Sequence, residues 1–431
     1  MNHKNRKRIA RIGILPLLGM LAFASVAEAQ PVIMQPPQYS VPPPALQQAQ
    51  GNEMQVFNPA EDFLNMLAGI NPYQWGPVSF RPSVSYSFSY ATGVQSSPGT
   101  NSATITQTVT PNFFFGLGSH WTLDYSPSWT FYSSSQLQDS LNQSVSLSWG
   151  TSYEDWVLGF SQGYSFSDSP MTQTGAQTKQ QSLSTSLNAS YQFNEKMSLS
   201  MEVGQGISLV SNSGNSTNSL GTLANSYSWS TMEFLNYEFW PRLNAGIGAG
   251  AGCSTQTGSP DSVSEQYSAR INWRATDKVS FQLNGGVQDQ QYLGGGAAGD
   301  LITPTFGGTI QYQMFNRTEL TLAASRSISP SYFKSQDTIS TSYTASLSQA
   351  LPKHFSLGLA GGYSTTDYTA TSNGVSSGRT DDGYTFSASL SHSLTKRGTV
   401  SGSYSYSENN SNVSGPSYSS NQIGVQVSYQ F

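Results

Sequence analysis

The stretch from Val78 to Tyr90 reads VSFRPSVSYSFSY and alternates two kinds of side chain. Every second residue is apolar or proline, and the residues between them are serine or arginine. Because a β-strand points successive side chains to opposite faces, this pattern predicts a strand with one apolar and one polar face. The same alternation returns at residues 183–193, 384–394 and 423–431.

Eighteen such segments follow one another to the C-terminus, with sixteen as the alternative count. They are predicted to start near residues 78, 103, 121, 141, 156, 183, 197, 224, 243, 263, 278, 304, 318, 339, 355, 384, 399 and 421. Short, often charged turns alternate with longer connections rich in Ser, Gly, Asn and Thr. Two ends with different loop lengths indicate an up-and-down antiparallel meander with an even number of strands.

Composition separates a membrane barrel from a soluble β-sandwich. Of the 431 residues, 36% are hydrophobic, 12% aromatic and 10% charged, whereas ordinary soluble domains have about 45–50% apolar and about 25% charged residues. A sandwich needs charged side chains to keep its surface and its sheet edges soluble. A closed barrel in lipid has no edges. We therefore predict an all-β transmembrane barrel with short periplasmic turns and longer external loops.

Four segments are predicted along the chain. Residues 1–29 have a basic start, an apolar run of about 13 residues and small residues before the cleavage site, which is typical of a secretory signal peptide. Residues 30–57 form a Pro/Gln-rich periplasmic linker. Residues 58–77 contain a short helix from Asn58 to Gly69 and a lead-in. Residues 78–431 form the barrel, which places the protein in the outer membrane of a Gram-negative-type bacterium.

Charge and cysteine content exclude several function classes. The formal net charge is −5, and removing the signal makes it −9 because that segment holds five basic residues and one acid. This balance disfavours nucleic acid as a partner. The single Cys253 rules out an intramolecular disulfide. The histidines suggest neither a metal site nor a catalytic one, so we expect no enzyme activity, no cofactor and no metal.

Aromatic residues gather near the predicted tight turns, where one membrane interface would lie. The predicted interfacial girdle contains Trp121, Trp149, Trp156, Trp273 and Phe355. A second set, mostly tyrosine, lies towards the longer loops and predicts the girdle at the other interface, with outer-membrane lipid between the two.

The alternation also predicts which charged residues face the lumen. They are Arg81, Asp124, Glu202, Arg270 and Arg274. Arg or Lys on the lipid face costs about 2–4 kcal/mol at the midplane, so an inward position is far cheaper. These side chains could tune selectivity, or could simply be solvated on a wet wall. The alternating glycines of residues 246–252 predict small side chains on the lumen face rather than a phosphate-binding loop.

Five residues depart from the pattern. Glu265 and Asp289 fall on the apolar face, but close to the loop end, where the cost of a charge is small. Pro82, Pro111 and Pro127 lie inside strands, where each removes a ladder hydrogen bond. We expect β-bulges at these prolines.

The chain ends on an alternating strand whose apolar face carries Tyr429 and the terminal Phe431. This resembles the last strand of bacterial outer-membrane β-barrels, which implies recognition by the barrel-assembly machinery. The Ser- and Tyr-rich strands of low charge resemble the large porins of the β-barrel porin 2 type, some relatives of which are associated with exopolysaccharide export. Unlike general porins, the sequence has no long inward-folding constriction loop and no arginine ladder.

Barrels of about 16 to 18 strands hold an aqueous channel, so we expect a porin for passive diffusion of small hydrophilic solutes through a mostly uncharged lumen. Two alternatives stay open. The first is an exopolysaccharide export channel in which residues 31–76 dock a periplasmic partner through the Pro-rich segment. The second is a structural or adhesive barrel whose lumen is closed by the Asn58–Gly69 helix. The oligomeric state is not predicted.

Overall fold

A computed structural model describes residues 73–212, 221–294, 296–315, 317–375 and 378–431. The predicted signal peptide, linker and Asn58–Gly69 helix lie outside these ranges. In the described part of the chain, no helix is long and apolar enough to cross a membrane.

The described chain forms one antiparallel sheet. Its strands are β1 (Tyr73–Trp75), β2 (Val78–Ser97), β3 (Thr100–Leu117), β4 (Trp121–Tyr132), β5 (Ser140–Tyr153), β6 (Trp156–Met171), β7 (Ala176–Asn194), β8 (Met197–Asn212), β9 (Ser226–Trp240), β10 (Leu243–Gln256), β11 (Asp261–Thr276), β12 (Val279–Leu293), β13 (Leu301–Phe315), β14 (Thr318–Pro330), β15 (Gln336–Leu351), β16 (Phe355–Ala370), β17 (Thr380–Ser393), β18 (Gly398–Ser411) and β19 (Tyr418–Gln430). From β2 to β19 each strand pairs with the next one along the chain.

Pairing between the first and last long strands closes the sheet. β19 pairs with β2 from Gln430 opposite Ser83 to Asn421 opposite Thr92. This makes a closed barrel of 18 strands, as the sequence predicts. The remaining strand, β1, is a three-residue hairpin arm that pairs Tyr73 with Phe80 at the start of β2. Gly76, in the turn between the two, has a φ of 60°, a left-handed conformation that glycine adopts without steric cost.

Aromatic rings in contact with one another mark the end of the barrel that carries the tight turns. The ring centroids of Trp121 and Trp149 are 5.9 Å apart, and those of Trp273 and its partner on β12, Phe281, are 5.3 Å apart. Phe355 stacks on a histidine of β17 at 4.2 Å. Further pairs there are Trp156–Tyr191, Tyr237–Phe239 and Tyr429–Phe431. By the rule for outer-membrane barrels this is the periplasmic end.

Tyrosine hydroxyls mark the opposite end of the apolar band. Each reaches a carboxylate or amide on the same outer face, so the phenol ring lies in the band and its hydroxyl in a polar layer. The hydrogen-bonded pairs are Tyr86–Gln107 (3.0 Å), Tyr164–Gln181 (3.3 Å), Tyr267–Glu265 (3.2 Å), Tyr363–Asp382 (2.9 Å) and Tyr404–Asn421 (2.8 Å). Glu265 therefore lies at the external interface, above the hydrocarbon.

The distance between the two aromatic layers fits a bilayer. Phe355 and Tyr363 on β16, like His392 and Tyr384 on β17, are eight residues apart. Eight residues span about 27 Å of strand, or about 21 Å of height at a tilt of about 40°, close to the apolar band of about 25 Å that such barrels present.

The prolines interrupt the ladder without forming bulges. The register between β3 and β4 is the same on both sides of Pro111 and Pro127, and Pro82 sits in β2 without a register shift. The prediction of bulges at these points was wrong. Inward side chains bridge the interrupted pairing instead, since Thr110 Oγ1 and Ser128 Oγ are 2.9 Å apart.

Several strands that start at the external end begin earlier than the alternation predicts. β7 starts at Ala176 rather than near residue 183, and β17 starts at Thr380 rather than near residue 384. The extra residues lie above the tyrosine layer, where both faces of the sheet are polar. Most external ends of the barrel therefore project beyond the membrane.

Substituting arginine for Val425 should destabilise the barrel, whereas substituting it for the next residue, Gln426, should not. Val425 lies on the outer face of β19, midway between Asn421 and Tyr429, and Gln426 faces the lumen. We expect Val425→Arg to lower the free energy of unfolding in lipid vesicles by about 2–4 kcal/mol. Denaturant titration followed by tryptophan fluorescence measures both variants. Equal effects at the two positions would contradict the assigned faces.

Candidate functional site at the external mouth

One strand hairpin separates from its neighbour on one side at the external end of the barrel wall, while its other strand, β15, stays paired with β16 as far as Gln336. β14 pairs with β13 only as far as Arg326, opposite Phe306, whereas its pairing with β15 continues to Pro330, opposite Asp337. Above Arg326 the hairpin formed by residues 326–341 therefore has no neighbour on its β13 side.

This hairpin folds inward against the opposite side of that gap. Asp337 Oδ2 accepts hydrogen bonds from Gln290 Nε2 at 2.6 Å and from the Tyr292 hydroxyl at 2.8 Å. Both donors lie on the inner face of β12, and two strands separate β12 from β15 in the wall. The three side chains can meet only if the external part of the hairpin, around Asp337, bends towards the inner face of β12.

The tip of the hairpin, residues 331–335, pairs with the loop between β8 and β9. The amide of Ala224 donates to the carbonyl of Tyr332 at 2.9 Å, and the amide of Lys334 donates to the carbonyl of Thr222 at 3.0 Å. Phe333 between them is 3% exposed. Burial also raises the pKa of the Tyr332 hydroxyl, which stays protonated.

Two further external loops hold the same tip. Gln256 Nε2, at the end of β10, donates to the Phe333 carbonyl at 3.1 Å. The amide of Ser335 donates to Ser259 Oγ at 2.7 Å, and the Ser335 carbonyl accepts from the amide of Thr371 at 2.9 Å. Loops from distant parts of the wall thus converge on one five-residue segment.

A second hairpin, residues 167–180 of β6 and β7, also folds inward. β6 pairs with β5 only as far as Phe166, while its pairing with β7 continues to Met171. Inside this hairpin Thr174, Thr178 and Gln180 have no exposed surface. Such complete burial of polar side chains shows that the hairpin is packed into the mouth of the barrel.

The two hairpins meet across the mouth. Gln173 Oε1 accepts a hydrogen bond from the Tyr332 amide at 3.2 Å, and the Gln173 carbonyl accepts one from Arg379 Nη1 at 2.9 Å. Along the wall, six strands separate the hairpins in one direction and eight in the other. We call the two hairpins together, residues 167–180 and 326–341, the lid.

A buried ion pair supports the lid from the loop between β16 and β17. Arg379 Nε lies 3.0 and 3.1 Å from the two carboxylate oxygens of Asp381, and both side chains are less than 10% exposed. The Arg379 guanidinium lies 4.3 Å from the ring centroid of Tyr368, whose hydroxyl donates to Asp381 at 3.1 Å. Removing one partner of such a pair leaves the other charge buried and unpaired, which is strongly destabilising.

The five lumen-facing charges named from the sequence lie on the inner face, well below the lid. Arg81, Asp124, Glu202, Arg270 and Arg274 all fall within six residues of the periplasmic end of their strands. The structure does not join them into one cluster. Asp124, for example, accepts hydrogen bonds from Asn112 Nδ2 at 2.8 and 3.0 Å. The role of the five charged residues in selectivity stays a prediction.

Arg270 anchors a polar network across the glycine-rich strand β10. Its Nε donates to Asn236 Oδ1 at 2.8 Å and its Nη2 to Ser200 Oγ at 3.1 Å. The guanidinium lies 4.1 Å from the centroid of the Phe234 ring. A Cβ at Gly248, on the strand between them, would lie 2.6 Å from that ring, so the strand needs glycine there. This network runs from β11 to β8 and so spans four strands. Side chains can reach that far only on the inner, concave face of the barrel wall.

One acid on the outer face was missed by the sequence analysis. Glu233 lies on β9 midway between Trp229 and Tyr237, with its side chain on the lipid-facing side. It lines a cavity of about 660 Å³ whose walls include Leu235 and Ile247. Nothing in the structure explains a carboxylate at this depth.

Comparison with known proteins supports the resemblance stated from the sequence. Residues 261–431 match the family model described as "Putative beta-barrel porin 2", so the predicted resemblance is confirmed over that part of the chain. No curated protein sequence matches the chain.

Solved structures of bacterial barrels are similar in architecture at low sequence identity. OccK2 (OpdF) of Pseudomonas aeruginosa is 12% identical with a TM-score of 0.46, and the match covers 82% of this chain and 98% of that chain. OpdK of Pseudomonas aeruginosa with vanillate is 10% identical with a TM-score of 0.45, covering 82% and 99%. OccAB4 of Acinetobacter baumannii is 12% identical with a TM-score of 0.43, covering 82% and 98%.

Replacing Arg379 with alanine should loosen the lid. The change leaves Asp381 buried without its cation and removes one hydrogen bond to Gln173. We expect faster trypsin cleavage after Lys334, at the exposed edge of the tip, in a barrel that stays folded. Mass spectrometry of the fragments measures the rate.

The matched control is Arg242→Ala. Arg242 also pairs with an aspartate, Asp277, at 2.8 Å, but that pair is solvent-exposed at a periplasmic turn and contributes little. Cleavage after Lys334 should be unchanged in the control. If both variants or neither increase cleavage, the Arg379–Asp381 pair does not hold the lid.

Proposed function

We propose that this protein is an outer-membrane porin through which small hydrophilic solutes diffuse passively, and that the lid restricts their entry at the external mouth. The observation that carries the proposal is a closed barrel of 18 strands whose inner face is polar and whose mouth is crossed by two inward-folded hairpins. A barrel of this size is too wide for its wall side chains alone to fill.

The wall chemistry favours neutral or sugar-like solutes. Inward positions are mostly Ser, Thr, Asn, Gln and Gly, which offer hydrogen-bond donors and acceptors with little charge. Solutes can exchange hydrogen bonds with water for hydrogen bonds with such a wall at little net cost. The five wall charges named from the sequence lie in the periplasmic half, where they would act on a solute after it has passed the lid.

The contact between the two hairpins is weak enough to open thermally. Gln173 accepts one neutral hydrogen bond from the Tyr332 amide of the other hairpin, and one from the guanidinium of Arg379 in the loop between β16 and β17. Together these two bonds at Gln173 contribute about 2–4 kcal/mol, because each exchanges with water when it breaks. Each hairpin itself is held by a continuous ladder. The lid can therefore part at Gln173 without unfolding either half.

The same lid favours one of the alternatives, a structural or adhesive barrel with a closed lumen. In that case the hairpin contact would be permanent and the channel silent. Export of a polymer would need a wide opening, and the meeting of the hairpins at mid-mouth counts against it in this conformation.

Shortening the tip should open the channel. We expect replacement of residues 331–335 by two glycines to raise the single-channel conductance in planar bilayers several-fold, because the tip holds the loops that converge on the mouth. Deletion of Val413 and Ser414, exposed residues of the loop between β18 and β19, is the control and should leave conductance unchanged.

Folding of each variant is checked by heat-shift electrophoresis. A folded wild-type protein that gives no conductance steps and admits no sugars into liposomes would contradict the porin proposal. Silence of the shortened variant as well would favour the structural alternative.

A further inference from the structure

Asp337 is a buried carboxylate at the contact between the lid and the barrel wall. Its side chain is 4% exposed, and its Oδ2 accepts the hydrogen bonds of Gln290 and Tyr292 on β12. Tyr343 of the same strand lies in the tyrosine layer, opposite Tyr363. Asp337 lies six residues beyond Tyr343 towards the external loops. It is therefore outside the hydrocarbon, where the external medium reaches it once the lid parts.

No cation pairs with this carboxylate in the described part of the chain. The ion pairs there join Arg242 to Asp277 and Arg379 to Asp381. Holding a charge away from water without an opposite charge is unfavourable. Burial accordingly raises the pKa of Asp337 to about 6, and the two hydrogen bonds that it accepts lower it only in part.

The groups on the flanking strands do not supply a positive charge. On β12, burial and the Asp337 carboxylate raise the pKa of the Tyr292 hydroxyl, which stays a hydrogen-bond donor. On β16, Asp367 lies opposite Ile339, two residues along β15 from Asp337 and on the same face. Asp367 accepts a hydrogen bond from Thr380 Oγ1 at 2.9 Å. A second acid on this face adds to the cost of ionising Asp337.

The cations of the hairpin itself are directed elsewhere. Arg326 of β14 shares the face of Asp337 but lies four residue pairs lower, where its Nη1 donates to Thr341 Oγ1 at 2.8 Å. Four residues of strand are about 13 Å. In the tip, Lys334 Nζ lies against Gly258 of the loop between β10 and β11, and Tyr332 stays protonated.

The wall leaves this hairpin room to move. In the described strands no ladder joins β14 to β13 above Arg326, while β15 stays paired with β16 as far as Gln336. The hairpin can therefore move outward together with the end of β16 without breaking a ladder on its β13 side. The contacts of the tip with Thr222, Ala224 and Gln256 are neutral hydrogen bonds, whose groups do not titrate near neutral pH.

We propose that Asp337 makes the lid sensitive to pH: its neutral form holds residues 326–341 against β12, and its ionised form favours an outward position in which water solvates the carboxylate. This inference rests on the proposed function and deepens it, because it gives the opening of the lid a chemical signal. Acid in the external medium would close the mouth.

Proton linkage sets the direction of the response. In the closed lid the pKa of Asp337 is about 6, and in an open lid the solvated carboxylate returns to its ordinary value near about 4. The closed lid therefore binds the proton more tightly. Closure is favoured most below about pH 4 and weakens as the pH rises to about 6. Over that range the ratio of open to closed lids increases by about a hundredfold.

Lid position and conductance are read from the same full-length protein. Cys253 is replaced by serine, and spin labels are attached at Lys334→Cys in the tip and at Gln291→Cys, an exposed position on the outer face of β12. Pulsed electron paramagnetic resonance gives the distance between the labels at about pH 4.5 and about pH 7.5, which lie on either side of the transition. Conductance in planar bilayers is recorded at the same pH values.

We expect the labelled parent to show a longer label distance and a several-fold higher conductance at the higher pH. Asp337→Asn carries no charge but keeps an oxygen that accepts from Gln290 and Tyr292, so its lid should stay closed at both pH values. The matched control is Asp289→Asn, which removes an acid from the outer face of β12. It should respond to pH as the parent does.

If Asp337→Asn fails to fold, Tyr292→Phe makes the same test. It removes a hydrogen bond that favours the ionised carboxylate, so the label distance should change over a wider pH range than in the parent. A role in packing alone would loosen the lid equally at every pH.

A label distance that is independent of pH, or that responds equally in Asp337→Asn, would overturn the proposal. Lid movement in a barrel that never conducts would support the pH response and contradict the porin function. Conductance without any pH-dependent movement of the lid would contradict the pH response and leave the porin function standing.

Discussion

Closure of the sheet between β19 and β2 is the constraint on which the other features depend. It leaves no strand edge exposed to hydrocarbon, where unpaired backbone groups are not tolerated. Once the sheet is closed, each strand has one face in lipid and the other in trapped water. Leu187, Phe386 and Val425 accordingly lie exposed on the outer face, in the band between the periplasmic aromatic rings and the tyrosine hydroxyls.

Inside the wall, the two ends of the barrel do different work. The external end is crossed by two hairpins, each of which separates from the neighbouring strand on one side, above Phe166 and above Arg326. The hairpins meet at Gln173. The periplasmic end carries the five wall charges named from the sequence and the start of the seam between β19 and β2. Selection of solutes by size at the first end, and by charge at the second, would follow from this division.

Sequence alone predicts the part of the fold that lipid dictates. Strands that follow a tight turn, such as those starting at Trp121 and Trp156, begin where the alternation predicts. Above the tyrosine layer water lies on both faces, the alternation stops, and β7 is predicted seven residues too late. The lid was missed for the same reason, since its Ser, Thr and Gln residues are those of an ordinary loop. The expectation that no long segment folds inward was therefore wrong. Tyr332 and Phe333, adjacent aromatics in such a polar stretch, were the available signal.

The central claim is that the two faces of each strand meet different solvents. Fluorophores placed one at a time from residue 384 to 390 on β17, in protein reconstituted into lipid vesicles, test it most directly through quenching by brominated lipid and by iodide. The account predicts lipid quenching at Tyr384, Phe386, Ala388 and Leu390, and iodide quenching at the residues between them. Quenching by both agents without alternation would contradict it.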